Sequence, residues 1–445
     1  MVKNKKITFA SINRLAIPAL ISGIAEPLLS IADTAVVGNM SVNPIEGIAA
    51  VGIAGSFISG IAYIIGQARP AISSIISQYV GKSRLTDIKH LPAQVILVNF
   101  LLAFLIFMST SFFATEIFEA YNASGQVLEY AEKYYKIRAY GLPLTIFIFT
   151  VMGIFTGLQI TFIPMVISLT GALLNIILDL ILVNGIEGII SPMYIEGAAY
   201  ASLFSQIVMA LLAGIFFVKR TPFNFYIPRE VHFELKRFVW ICLNLCGRSL
   251  FLNLTLYLAN SYAVSYGRNY IASQTICFQV WIFFAFVVDG YASVAAIISG
   301  KLKGSKSIKK LSILVRDISI YCVSLSLIVS TICFSLYSSL QLVFTDDTGV
   351  LAVLSSALWI VILMQPINAI AFVYDSIFKG LGEASVLRNT MILSTLLGFV
   401  PCLIITDYLG LKLIGIWISF SMWMLFRGGS LFFYFKKNIL VLLRK

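Results

Sequence analysis

Charge is scarce in this chain. Of its 445 residues only 12% are Asp, Glu, Lys or Arg and 59% are hydrophobic, whereas a soluble domain averages about 25% charged and roughly 45–50% apolar residues. That balance excludes an ordinary soluble domain and indicates an integral membrane protein. Histidine is nearly absent: His90 and His232 stand singly at loop edges, and no CxxC, HExxH or GxSxG pattern occurs. A metal centre, a disulfide framework and an intramembrane enzyme therefore have no residues to build on, and no cofactor is expected. The six cysteines, Cys242, Cys246, Cys277, Cys322, Cys333 and Cys402, lie in apolar segments and read as small packing residues. Alternating ten-residue strands are missing too, which argues against a barrel. The first apolar run follows Lys3, Lys5 and Lys6 without a small-residue cleavage site, so a retained helix is expected there instead of a signal peptide.

What the chain has is long apolar runs. Val95–Phe113, Ile163–Asn184 and Leu311–Ser335 each hold about twenty such residues, the length that crosses a ~30 Å hydrocarbon layer as a helix. Breaks at polar and Gly/Pro clusters predict an all-α membrane protein of about twelve helices, starting near residues 10, 47, 91, 131, 164, 195, 236, 270, 308, 350, 386 and 411. Loops after even-numbered helices collect Lys82, Arg84 and Lys89, then Lys219 to Arg237, then Lys301 to Lys310, then Lys379 and Arg388. Loops after odd-numbered helices hold mainly Glu46, Glu116, Glu119, Glu187, Glu196, Asp346, Asp347 and Asp407. The basic loops and both termini are thus expected in the cytoplasm, and the net charge of +12 reads as topology instead of nucleic-acid binding.

An internal repeat is visible. Gly141-Leu-Pro143 matches Met364-Gln-Pro366, Gly153-Ile-Phe-Thr-Gly157 matches Ser376-Ile-Phe-Lys-Gly380, and Gly81-Lys-Ser matches Gly304-Ser-Lys, each at a spacing of 223 residues. Six spans per copy is an even number, so both copies enter the membrane in the same direction, a layout of parallel repeats found in transporters. The expected organisation is an amino-terminal lobe over residues 1–218, a cytoplasmic link over 219–237 carrying Pro222 and Pro228, and a carboxyl-terminal lobe over 238–445.

Few acids interrupt the apolar runs, and three polar positions share a depth. Asp33 precedes the outer end of the first helix by about five residues, Asp179 precedes the outer end of the fifth by about five, and Ser202 follows the start of the sixth by about as many. At about 1.5 Å per residue each lies some 8–9 Å below the outer ends of the helices. Asn175 and Asp179, four apart, project from one helix face, and Glu26 stands two turns before Asp33. Two carboxylates flanked by an amide and a hydroxyl either supply hard oxygen ligands for a small cation such as Na⁺ or share a proton. Intramembrane acids are functional sites by default.

These residues carry a resemblance. Pro18, Glu26-Pro27, Asp33-Thr-Ala-Val-Val-Gly38, Leu174-Asn175-Ile-Ile-Leu-Asp179, Gly197-Ala-Ala with Ser202, and Val288-Asp289-Gly-Tyr-Ala are similar to the multidrug and toxic compound extrusion (MATE) transporters, in particular the DNA-damage-inducible F branch. The resemblance implies a V-shaped pair of six-helix lobes that export drugs or organic cations by alternating access as H⁺ or Na⁺ enters. It assigns the cation site to Asp33, Asn175, Asp179 and a hydroxyl that here is Ser202. Pro18, which interrupts the hydrogen-bond ladder of the first helix, is the expected hinge. A multi-pass protein of the cell's inner or plasma membrane, acting as a monomer on small molecules within the lipid bilayer, is the expectation. A lipid-linked oligosaccharide flippase of related layout is the alternative.

The remaining candidates are less sharply placed. Asp375 matches an acid that another branch uses together with a seventh-helix Glu, but the seventh helix here has no acid and carries Arg248, so Asp375 either couples an ion or pairs with that arginine. Asp289 either lines a cavity or packs. Tyr140, Tyr200, Trp281 and Phe284 are candidates to line a central cleft and stack on a flat cation. Thr156-Gly-Leu-Gln-Ile-Thr161 departs from the charged turn usual in the family at that place.

Overall fold

The structure, a computed structural model, describes residues 9–186 and 188–439, with the side chains of residues 9 and 26–31 outside that set. The first half contains α1 (Phe9–Gly38), α2 (Pro44–Ile65), α3 (Ala68–Lys82), α4 (Leu91–Phe112), α5 (Ala114–Ala120), α6 (Gly125–Ala139), α7 (Gly141–Gly157), α8 (Phe162–Asn184) and α9 (Tyr194–Arg220). The second contains α10 (Phe233–Tyr266), α11 (Arg268–Gly304), α12 (Ile308–Ser335), α13 (Tyr337–Leu342), α14 (Thr348–Leu363), α15 (Gln365–Leu381), α16 (Ala384–Leu393), α17 (Val400–Tyr408) and α18 (Lys412–Tyr434). Among the described residues, nine helical stretches are long and apolar enough to cross a membrane, or 11 if each of two bent pairs is one crossing. The 30-residue α1 stands ahead of them in the place of the first expected span. The fourth expected span begins earlier than placed, at Gly125, because its first turns carry Glu129, Glu132 and Lys133 and read as loop.

Both bent pairs obey the repeat. α6 and α7 meet at 47°, α14 and α15 at 50°, and each second helix carries a proline in its first turn, Pro143 or Pro366. A proline has no N–H for the carbonyl four residues earlier, so the ladder opens there. For Pro366 that carbonyl is Ile362 O, and Ser330 Oγ donates to it at 3.0 Å.

The residues group into two compact units: Ile17–Ile76 with Arg84–Val239, and Trp240–Lys445 with Met1–Ala16 and Ser77–Ser83. In the first, Phe118, Tyr134 and Tyr135 form a core with Val51 and Ala54, and Gly157 of α7 lies directly on Ser73 and Ile76 of α3. In the second, Trp281, Phe284, Trp417, Phe420 and Trp423 form the core, and Gly380 of α15 lies on Ala296 and Ser299 of α11. Every residue of the second contact is 223 positions beyond its counterpart in the first. Within the second unit the same spacing produces a reciprocal contact: Gly81 lies on the Lys301 carbonyl and Gly304 on that of Gln78. A Cβ at any of these glycines would overlap the facing helix, which is why small residues mark the closest crossings. Large apolar side chains such as Leu105, Phe112 and Leu211 stay exposed, as expected of faces that meet lipid.

Candidate functional site

The site grows from two helices that run side by side. Ser22 of α1 and Ser168 of α8 have their hydroxyl oxygens 2.9 Å apart, and eleven residues further along each helix stand Asp33 and Asp179. Equal offsets mean that α1 and α8 keep one register over about 16 Å. α9 then returns against α8. Gly197 permits this, since a Cβ there would come within 2.6 Å of the Leu182 backbone, and Gly171 makes room for Met209. The close approach brings Ser202 to face the acids.

Asp33 is 5% exposed, Asn175 2%, Asp179 0% and Ser202 5%. The Asn175 amide is oriented by its partners: turned with nitrogen toward the acids, it donates to Asp33 Oδ1 at 3.0 Å and to Asp179 Oδ2 at 3.3 Å, while its oxygen faces Ser202 Oγ at 3.1 Å. Ser202 Oγ is also 3.4 Å from Asp33 Oδ2. The Asp33 and Asp179 carboxyl groups lie within hydrogen-bonding reach of each other, and Asp179 Oδ1 has no partner among the described residues. Two full negative charges so close repel, so the arrangement calls for a compensating charge, a shared proton or a small cation. All four residues expected to meet do meet.

Beside them lies a cavity of about 380 Å³, lined in part by Ser22, Asp33, Ser168, Asn175 and Ser202. Two of its charged or titratable wall residues escaped the sequence reading. Tyr134 and Arg138 of α6 reach the cavity, as does Arg69 of α3. Arg138 hydrogen-bonds Tyr134, and both sense the charges of Asp33 and Asp179. Their signal was the spacing of Ala131, Tyr134, Tyr135, Arg138 and Leu142, a helical stripe hidden among Glu and Lys residues.

The other candidates stand elsewhere. Asp375 is gripped by three cations: Arg248 makes a bidentate pair at 3.1 and 2.9 Å, Arg427 lies at 2.8 Å and Lys379 at 2.9 Å. Asp289 is exposed on α11, near Cys322. Trp281 and Phe284, expected at a cleft, are packed into the core of their unit because their large rings fill it, Trp281 stacking on Phe278 and Phe420. Tyr140 packs on Phe107, Tyr200 is exposed, and neither lines the cavity, whose aromatic rings are Tyr134 and Phe149. Pro18 is half-buried within α1, and the Glu26 side chain falls outside the described residues.

The MatE family model matches residues 18–181 and 245–404. The chain belongs to this family. Among its MATE relatives, DNA damage-inducible protein F of Escherichia coli is 24% identical over 428 residues, covering 94% of this chain and 90% of that protein. Protein DETOXIFICATION 43 of Arabidopsis thaliana is 26% identical over 302 residues, 68% of this chain, and the match spans 56% of the Arabidopsis protein's length. A crystal structure of MATE in the bent conformation shares the fold at a TM-score of 0.90 and 22% identity, covering 98% of this chain and 96% of its own.

Proposed function

We propose that this chain is a secondary antiporter that exports organic cations or drugs by alternating access while H⁺ or Na⁺ enters. The observation that supports this most is the convergence of Asp33, Asn175, Asp179 and Ser202, from three helices, on the edge of a cavity large enough for a small organic molecule. Loading the acid pair with an external cation changes the charge beside that cavity. Pro18, which offers no N–H to the Arg14 carbonyl, is the point where α1 bends in response. Occupation of the acids and of the cavity then exclude each other. Asp375, held by Arg248, Arg427 and Lys379, serves as a structural tie instead of a second ion site. The protein works in the cell's inner or plasma membrane as a single chain, with both ends in the cytoplasm and residues 219–237 linking two transport lobes. The family match favours a transporter of this kind over an oligosaccharide flippase.

Purified protein in vesicles loaded with a fluorescent cation tests the reading. An imposed ΔpH or ΔNa⁺ should drive efflux, and Asp33→Asn should abolish the gradient-driven part. Undiminished efflux by that variant would remove Asp33 from the mechanism.

A further inference from the structure

Of the acid pair only Asp33 reaches the cavity wall. Asp179 is fully buried and Asp33 nearly so, both tied to Asn175. Exclusion between acids and cavity can act through a charge on the same wall, and one residue has the position for it. Arg138 lines the cavity, and its charge interacts with both Asp33 and Asp179. Its Nε is buried without a hydrogen-bond partner among the described residues, and its guanidinium stands 5.8 Å from the Tyr134 ring. Among the described residues, the groups with charge or a titratable proton around it are Tyr134 on its own helix, Asp33 from α1 and Asp179 from α8. Arg69 lies on the cavity wall from α3, while α2, α7 and α9 face the cavity with uncharged side chains only.

We infer that Arg138 is the internal counter-charge of the coupling site: a cation that neutralises the Asp33–Asp179 pair leaves the Arg138 charge uncompensated on the cavity wall, where it expels a cationic substrate. Buried charge is tolerated beside an opposite charge and becomes repulsive to like charge once that partner is gone. Arg138 sits at the end of α6, two residues ahead of the 47° break, so it is also placed to feel a change in that bend. The bend itself does not require the arginine: the equivalent position 223 residues later is Val361, and α14 and α15 bend by 50° around it. This relay rests on the antiport reading and gives it a charge-based mechanism.

A double-mutant cycle on the full chain, read by rhodamine 6G fluorescence anisotropy at fixed pH and salt, decides the matter. Asp33→Asn, which mimics a neutralised acid, should weaken dye binding at least about tenfold, and Asp33→Asn with Arg138→Gln should recover most of that loss, the size of coupling seen between contacting charges. Arg138→Gln alone should abolish the weakening that saturating H⁺ or Na⁺ causes in the parent protein, and Arg138→Lys, which keeps the charge, should restore it. A double variant as weak as Asp33→Asn would mean that Asp33 holds the dye directly and would overturn the relay. Parent-like binding by Asp33→Asn, or no binding of rhodamine 6G or tetraphenylphosphonium by the parent, would overturn it as well. Failure of the antiport reading is seen separately, as an imposed ΔpH or ΔNa⁺ that drives no efflux from vesicles holding the parent protein.

Discussion

Ala25 and Met152 line the cavity of the amino-terminal unit, whereas Arg248 and Asp375, 223 residues further on, meet in a bidentate ion pair inside the carboxyl-terminal unit. The two places share a helical template down to the glycine contacts and the bend angle, and differ in what the side chains do with it. In one, small and apolar residues leave space and two acids crowd together within the field of Arg138. In the other, one carboxylate is shared by three cations and the polar groups tie α10, α15 and α18 together. A duplicated frame can thus hold two mutually repelling acids in one copy and a carboxylate neutralised by cations in the other.

The largest expected effect tests that contrast through stability. Asp375→Ala strands Arg248 and Arg427 and should cost about 3–5 kcal/mol, the penalty of breaking a buried pair from one side. Thermal unfolding in detergent should register this as a marked drop in Tm, while Asp33→Asn, which relieves repulsion, should leave Tm near the parent value. Equal drops would erase the distinction between the clamped Asp375 and the mutually repelling Asp33–Asp179 pair.

A smaller effect concerns how the amino-terminal site is assembled. Gly197→Ala pushes α9 off the Leu182 backbone and should destabilise by about 1–3 kcal/mol. Gly23→Ala has open space around its Cβ and should be neutral or stabilising by about 0.5–1 kcal/mol. Melting curves of the two variants side by side check whether close helix approach, and not glycine as such, is what the site needs. Smallest of all, Ser202→Ala should cost about 0.5–1.5 kcal/mol for the lost hydroxyl contacts, and Ser202→Thr less. The readout is the H⁺ or Na⁺ concentration for half-maximal efflux, which should move for Ala and stay for Thr.

Much of the fold was legible in one dimension. Apolar runs and glycine or proline breaks located the helices, most of them within a few residues of Phe9, Pro44, Leu91, Phe162, Tyr194, Phe233, Arg268, Ile308, Thr348, Ala384 and Lys412. The meeting of Asp33, Asn175, Asp179 and Ser202 was legible for the same reason, since counting residues from helix ends measures depth. Arg138 was not. Flanked by Glu132, Lys133 and Lys136, it reads as part of a solvated run, and only the packing of α6 turns Tyr134 and Arg138 inward while Lys133 and Lys136 face out. The aromatic candidates could not be sorted either, because Trp281 in a core and Phe149 at a cavity sit in equally apolar segments.

Hydropathy, loop charge and the 223-residue spacing by themselves determined that this is a twice-repeated helical membrane protein with acids at a common depth. Each depends on transfer to lipid or on the constant rise of a helix, quantities that accumulate along the chain without knowledge of neighbours. The tertiary structure alone decided which charge each acid faces. Asp33 and Asp179 oppose each other within the field of Arg138, while Asp375 is surrounded by three cations drawn from positions 248, 379 and 427. The energy of a buried charge is set by what lies within a few ångströms of it, and those neighbours come from helices far apart in sequence.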